Sequence, residues 1–324
     1  MNVTVESLQK EIPEKKLVGN VAYVLQAPWD QPDFAKETSL EKRIKSAGLD
    51  WRAESSTLHY FNSKGTALVP GRMALFRSDN GKFLGAVGEN YKVVQPKEVI
   101  EFYENLIANF GFEMEAAGSF SEGKRIWALA NTKNVMTLDG DESKMYLLLA
   151  TSFDGSMATH VRLTSIRVAS ESSLNVAVDE KILARDVIKV MHSQSFDAEK
   201  VKHQLAIEKR WAKFQKTAKK MVEHKISEDK AIEYLSNVYD IHEGVKGVRR
   251  TRFLNAMEFS LNEAPGANLA TAKGTLWGAV NAVSFDIDHR KRRNENTRAE
   301  LAMIGYGNAT KEKAWKLAER LLAA

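Results

Sequence analysis

The residues best suited to chemistry stand near the end of the chain, where Asp286, Asp288 and His289 are followed at once by Arg290, Lys291, Arg292 and Arg293. Carboxylate and imidazole together could hold a hard metal ion or move a proton, whereas four consecutive cations call for an anion or for water. On a helix Asp286 points about 200° away from Asp288, so the two carboxylates do not share a face and only the adjacent Asp288 and His289 could flank one. Two ligands do not make a metal centre. A two-metal nuclease would need further carboxylates, for which Glu258 and Glu300 are the available guesses. Asp288 and His289 are therefore weak metal candidates, and capping or pairing with arginine is the commoner use of such residues.

Basic residues are the more extensive signal. Lys209, Lys213, Lys216 and Lys220 recur at intervals of four, three and four, which puts them on one side of a helix as a ridge that could follow a phosphate backbone. A second cluster comprises Lys246, Arg249, Arg250 and Arg252, and a third is Arg290 to Arg293. Arg162 and Arg167 lie on an expected strand with His160, close to a hairpin carrying Arg125 and Trp127. Strand alternation puts Arg162 with His160 and sends Arg167 to the other face. A curved sheet bearing cations and rings can bind single strands by stacking, although a tryptophan in mid-strand, such as Trp127, more often belongs to the core. The seven histidines have no ligand spacing, and the chain contains no Walker A loop, nucleophile elbow, H-E-x-x-H or dinucleotide fingerprint. No cofactor is expected.

The elements that must position these residues can be read from periodicity and turn signals. The first 72 residues read as an extension or arm with short elements: a strand at V-A-Y-V-L, a short helix from Ser39 to Ala47 stopped by Gly48, and a strand or arm over Leu49 to Asn62. Asp79-Asn80-Gly81 joins two short strands, and Pro96 opens a helix capped by Gly111. Strand pairs follow over Phe112 to Thr132 and Lys144 to Val168. A helix is expected to begin at Ser172, and a strand over Asp186 to His192. Beyond a boundary near Ser195 the pattern turns helical, with helices over Ala198 onward, Glu228 to Tyr239, Thr251 to Leu261, Thr275 to His289, and Lys311 to Leu322 capped by Thr310. The Thr275 to His289 segment reads as amphipathic, with Leu276, Val280, Val283 and Ile287 on one face. The expected architecture is α+β: an antiparallel core of hairpins and helices over 73–195, and a mainly helical, basic region over 196–324 packed on it.

Composition narrows the class. At 324 residues with 44% hydrophobic and 27% charged side chains, the chain reads as a soluble globular protein. Its longest apolar runs fall short of the ~20 residues of a membrane helix, and its acidic N-terminus lacks a secretory core, so a cytoplasmic location without membrane attachment is expected. There is no cysteine, which removes disulfides, thiolate metal sites and a thiol nucleophile. The net charge of +5 is concentrated in the second half, the usual footprint of a nucleic-acid partner.

Several stretches carry a family likeness: P-W-D around Trp29, A-G-L-D-W at Ala47 to Trp51, T-S-I-R-V-A-S-E-S-S-L-N-V-A-V at Thr164 to Val178, V-I-K-V-M-H-S at Val187 to Ser193, G-T-L-W-G-A-V-N-A-V-S-F-D-I-D-H ending at His289, and G-Y-G at Gly305 to Gly307. In these the chain resembles the phage- and plasmid-borne family known as domain of unknown function 932, or phage/plasmid-like proteins. It departs from that pattern at Asp30, where the family often has His, and at Ser170 and Ser172, where a Cys precedes Asn-Thr-Leu. The resemblance confers no activity. It implies dealings with invading or replicating DNA, marks Arg167, Asn175, Asn281, Asp288 and His289 for testing, and suggests by analogy of fold alone a likeness to ring-forming single-strand annealing proteins. The function expected is single-stranded DNA binding and strand annealing by a homo-oligomeric, non-catalytic recombination accessory, with host DNA-processing proteins as further partners. The alternatives are a metal-dependent nuclease, or a counter-defence protein that binds a host protein.

Overall fold

The computed structural model describes residues 15–18, 21–24, 29, 31–37, 39–175, 188–190, 207–241, 247–290 and 295–323. Near the N-terminus, β1 (Lys15–Val18) and β2 (Val21–Val24) form an antiparallel ribbon. Two short helices follow, α1 (Pro32–Ala35) and α2 (Leu40–Ser46). The Ser39 hydroxyl accepts from the Lys42 amide at the start of α2, and Gly48, at φ +63°, turns the chain after it.

A three-stranded antiparallel sheet contains β3 (Ala53–Asn62), β4 (Gly65–Arg77) and β5 (Phe83–Gly88), in that order. The expected Asp79–Gly81 turn joins β4 to β5, with Gly81 at φ +69° and the Asn80 side chain accepting from the Lys82 amide. The β3–β4 hairpin is longer than the sequence signals indicate: β5 pairs with β4 only over Arg72–Phe76, so the outer half projects as two strands. Helix α3 (Pro96–Phe110) has Pro96 in its first turn, a capping box between Gln95 and Glu98, and Gly111 at φ +67° beyond its end. The hydroxyl of its buried Tyr103 lies 2.9 Å from the Ala128 carbonyl and 3.0 Å from that of Leu147, pinning the helix to the middle of the main sheet.

That sheet is antiparallel, in the order β10-β9-β8-β7-β6, from β6 (Glu113–Phe120), β7 (Arg125–Leu138), β8 (Asp141–Ser152), β9 (Thr159–Arg167) and β10 (Ser172–Asn175). A further strand, β11 (Ile188–Val190), pairs with Thr159–Val161 of β9, and β10 pairs with Thr164–Arg167. Both faces of the sheet are covered. Alternate residues Ile126, Ala128, Met145, Leu147, Val161 and Leu163 join the main core; Trp127, Leu129, Tyr146, Leu148 and Ile166 join a second cluster with Trp29, Ala299 and Met303. Trp127 is a core residue, 3% exposed and stacked on Phe120 at 5.7 Å.

The helix expected at Ser172 is instead strand β10. Glu171, at φ +50°, reverses the chain within a four-residue connection, and the small residues Ser172 and Ser173 then pair back onto Arg167 and Ile166. Among the described residues the remaining helices are α4 (Ile207–Glu223), α5 (Glu228–Val238), α6 (Val248–Asn262), α7 (Leu276–His289), α8 (Glu295–Met303) and α9 (Tyr306–Ala323). Helix α9 begins five residues earlier than expected, and the Thr310 hydroxyl donates to the Tyr306 carbonyl at 3.0 Å inside it rather than capping it. Helix α7 corrects a larger expectation. All 14 of its residues are buried, because α4, α5, α6, α8 and α9 pack around it and β10 meets its C-terminal end. A helix buried all round needs no polar face. Its charged residues must therefore find partners inside the protein.

Candidate nucleic-acid interface

Helix α4 is built on its aromatic face. Trp211 and Phe214 are buried, with Phe214 stacked between Trp211 at 5.2 Å and Trp315 of α9 at 4.8 Å. This fixes the rotation of the helix and turns Lys209, Lys216 and Lys220 outward and exposed, with Lys213 partly buried between them. Lys209, Lys216 and Lys220 make no ion pair among the described residues. From Lys209 to Lys220 the ridge is about 16 Å long, against roughly 3.4 Å of axis per phosphate for one strand of a duplex. At the C-terminal end, Lys225 pairs with Thr275 in an isolated bridge and the Ile226 amide donates to the Gly274 carbonyl at 3.0 Å, which sets the exposed Lys273 close to Lys225. Sequence spacing gave no sign of Lys273, because it enters from a loop that precedes a different helix.

The second basic cluster lies at the start of α6, which follows Gly247 and has no acidic residue in its first turn. Arg250 is exposed there. The side chains of Arg249 and Arg252, and all of Lys246, lie outside the described residues. The third cluster is divided. Arg290 turns back to the carboxylate of the buried Asp286, its Nε at 2.8 Å, and Asp286 also accepts from the Tyr239 hydroxyl at 2.8 Å. Lys291, Arg292 and Arg293 lie outside the described residues.

Two candidate cations are interior residues and do not belong to a surface site. Arg167 is 3% exposed; its Nε and one terminal nitrogen each donate to Asp141 at 2.7 Å, and the latter also donates to the Gly266 carbonyl at 2.9 Å. Thr271 and the Trp277 indole complete the Asp141 shell at 2.8 and 3.0 Å. Gly266 can be nothing larger, since its φ is +76° and a Cβ would stand 2.8 Å from that of Ala169. Arg162, 6% exposed, faces the other side of the sheet as alternation required, and burial lowers its pKa to about 10. With Trp29, Thr164, Ser173 and Asn308 it lines a small pocket. A surface reading failed for both arginines because β8, β10 and β11 flank β9 in the sheet and residues on both of its faces are buried.

The acid and imidazole cluster is also committed internally. The Oδ2 of Asp288 accepts from the Ser173 amide at 2.6 Å and hydroxyl at 3.0 Å, while its Oδ1 pairs with the Lys311 ammonium. Asp286 and Asp288 point to different neighbours, as their angular separation required. His289 is wholly buried, its ring against Phe285 at 4.7 Å. Glu300 pairs with Arg125 and accepts from the Ser121 hydroxyl, and Glu258 is exposed on α6. Among the described residues no three His, Asp or Glu side chains are grouped so that they could hold a metal ion. Asp288 and His289 are thus corrected from candidate ligands to interior residues, Asp288 neutralising a buried lysine. Of the other residues marked by the family likeness, Asn281 donates to the Trp277 carbonyl at 2.8 Å within α7 and Asn175 pairs in register with Thr164, while at the departing positions the Ser172 hydroxyl donates to the Ser170 carbonyl at 3.2 Å.

The model of a family described as Domain of unknown function (DUF932) matches residues 83–314. That span takes in the whole main sheet and helices α3 to α8, and excludes the β3–β4 hairpin. No curated protein and no solved structure matches the chain.

Proposed function

We propose that this chain, which belongs to the DUF932 family, binds single-stranded DNA along the lysine ridge of α4 and promotes the pairing of complementary strands. In this reading it is a non-catalytic, cytoplasmic, homo-oligomeric recombination accessory of phage or plasmid origin. The observation that carries the reading is the exposure of Lys209, Lys216 and Lys220 on one helical face with no ion pair among the described residues. Lysines repeated at helical pitch repel one another, and that repulsion is relieved when phosphates replace the small counterions. Arg250, exposed at the start of α6, adds to it. Cations at a helix N-terminus are opposed by the macrodipole, so an anion there relieves both terms.

Asp288 gives the nuclease alternative no support, since its two oxygens already neutralise Lys311 and bind Ser173. The test is a labelled oligonucleotide titrated at two or more salt concentrations. Three lysine contacts give a slope of log K against log salt of about −2, at about −0.7 per contact for single strands. Reversing charge with Lys216→Glu and Lys220→Glu weakens binding sharply, and the wild-type chain accelerates the annealing of complementary strands. Binding that is undetectable, or indifferent to salt, rejects the proposal.

A further inference from the structure

Two buried donors stand unmet beside one small cavity. Arg162 of β9 is 6% exposed and Trp29 is 8% exposed, and neither the Arg162 Nε nor the Trp29 Nε1 has a hydrogen-bond partner among the described residues. Both side chains line a cavity of about 10 Å³, walled by Leu129 and Leu148 of the sheet and by Ala302 and Met303 of α8. The other polar groups of the lining are already engaged. The Thr164 hydroxyl donates to the Leu174 carbonyl at 2.9 Å, the Ser173 hydroxyl lies between Asp288 and Lys311, and the Asn308 amide donates to Glu312 at 3.0 Å.

Arg162 is the sole charged side chain among the described lining residues. It remains cationic at neutral pH, since burial brings its pKa down only to about 10. Behind Ser173, Lys311 and Asp288 neutralise each other. Glu312, partly buried on α9, favours the Arg162 cation through space, but no ion pair joins the two. A buried cation is tolerable only with a counter-charge close by. A water molecule in the cavity would accept from the N–H groups and leave the charge unmet, whereas a halide accepts from them and cancels it. The volume admits one particle of about that size, and no phosphate or carboxylate group.

We infer that this cavity binds a single chloride-sized anion, held by the Arg162 guanidinium and the Trp29 indole N–H. The ion ties Trp29 to the sheet from a position between β9 and α8. It is separate from the lysine ridge and does not depend on DNA binding.

The experiment follows the Tm of the full chain, without nucleic acid, as sodium chloride replaces sodium gluconate at constant ionic strength. Gluconate is too large for the cavity. The wild-type Tm rises logarithmically with chloride, the form for a ligand bound by the folded chain alone. Trp29→Phe keeps the ring and loses the N–H, so about tenfold more chloride is needed for the same rise. Arg162→Leu abolishes the chloride dependence. Crystals grown in sodium bromide show an anomalous peak between Arg162 and Trp29. A Tm indifferent to the exchange, or a Trp29→Phe response equal to that of the wild type, overturns the inference. A bromide peak without a chloride-dependent Tm would mark an adventitious ion only, and a cavity holding water in the bromide crystals would also overturn it. If Arg162→Leu does not fold, Trp29→Phe and the bromide crystals decide.

Discussion

Lys311 of α9 and Asp288 of α7 form an ion pair with both side chains wholly inside the protein, 1% and 0% exposed. Ser173 of β10 closes a triangle with them, its Oγ 2.7 Å from the Lys311 Nζ and 3.0 Å from the Asp288 Oδ2. Burial draws the Lys311 pKa below its ordinary value, opposed by the neighbouring carboxylate and assisted by Arg162. The triangle ties a sheet edge to two helices. Lys311→Met leaves a buried carboxylate without its cation and is expected to cost about 3–5 kcal/mol in urea unfolding. Adding Asp288→Leu recovers much of that loss, since an apolar pair can replace an ionic one. A near-neutral single variant would contradict this account of the triangle.

Arg167 and Asp141 form the second buried pair, and the hub on Asp141 joins β8, β9 and the start of α7. Arg167→Gln should therefore lower the Tm markedly, and at a temperature where it remains folded its DNA affinity should equal that of the wild type. Reduced affinity in a fully folded Arg167→Gln chain would return this residue to the interface.

The ridge and the helix end should part company. If the ridge binds DNA as proposed, Lys216→Gln should remove one phosphate contact, lowering the salt slope by about 0.7 with little change in Tm. Arg290→Gln does the reverse, because Asp286, 1% exposed, loses its guanidinium partner and keeps the Tyr239 hydroxyl. Equal effects of the two substitutions on both readouts would show that the division is wrong.

Gly278 sits where α7 leaves Thr275, whose Oγ1 accepts from its amide at 3.0 Å. A Cβ there would fall 1.9 Å from the Ala272 carbonyl oxygen, a backbone atom that cannot step aside. Gly278→Ala should destabilise by about 3 kcal/mol or fail to fold, while Gly88→Ala, with open space around the added carbon, should change the Tm little. Thermal unfolding of the two variants side by side decides it.

Tyr91 donates to the Ser152 carbonyl at 2.7 Å, and burial raises its pKa to about 12. Above pH 10 the unfolded chain gives up this proton while the folded one retains it, so the unfolded state binds fewer protons and stability falls as pH rises from about 10 to 12. The contribution is complete below pH 10. Tyr91→Phe should flatten that alkaline decline, which urea titrations at pH 9 and pH 11.5 would reveal; an identical decline in the variant would assign it to other groups.

Much of the architecture was written locally. Pro96 and Gly111 bound α3, Asn80 and Gly81 set a turn, the alternation around Trp127 put it in the core, and the period of α4 separated its aromatic face from its lysines. Each is a property of residues within a few positions of one another, which is the range over which helix and strand periods act. The same rules misread Ser172, where a tight reversal and pairing to β9 overrode the local pattern.

The sequence by itself determined the α+β class, the order of most elements and the lysine ridge, because these follow from short-range spacing. Only the tertiary structure decided which charges face water. Arg167 meets Asp141 across 26 positions, Lys311 meets Asp288 across 23, and Ser173 meets Asp288 across 115. A buried charge is tolerable only beside its counter-charge, and no period in the chain announces a partner that folding alone brings near.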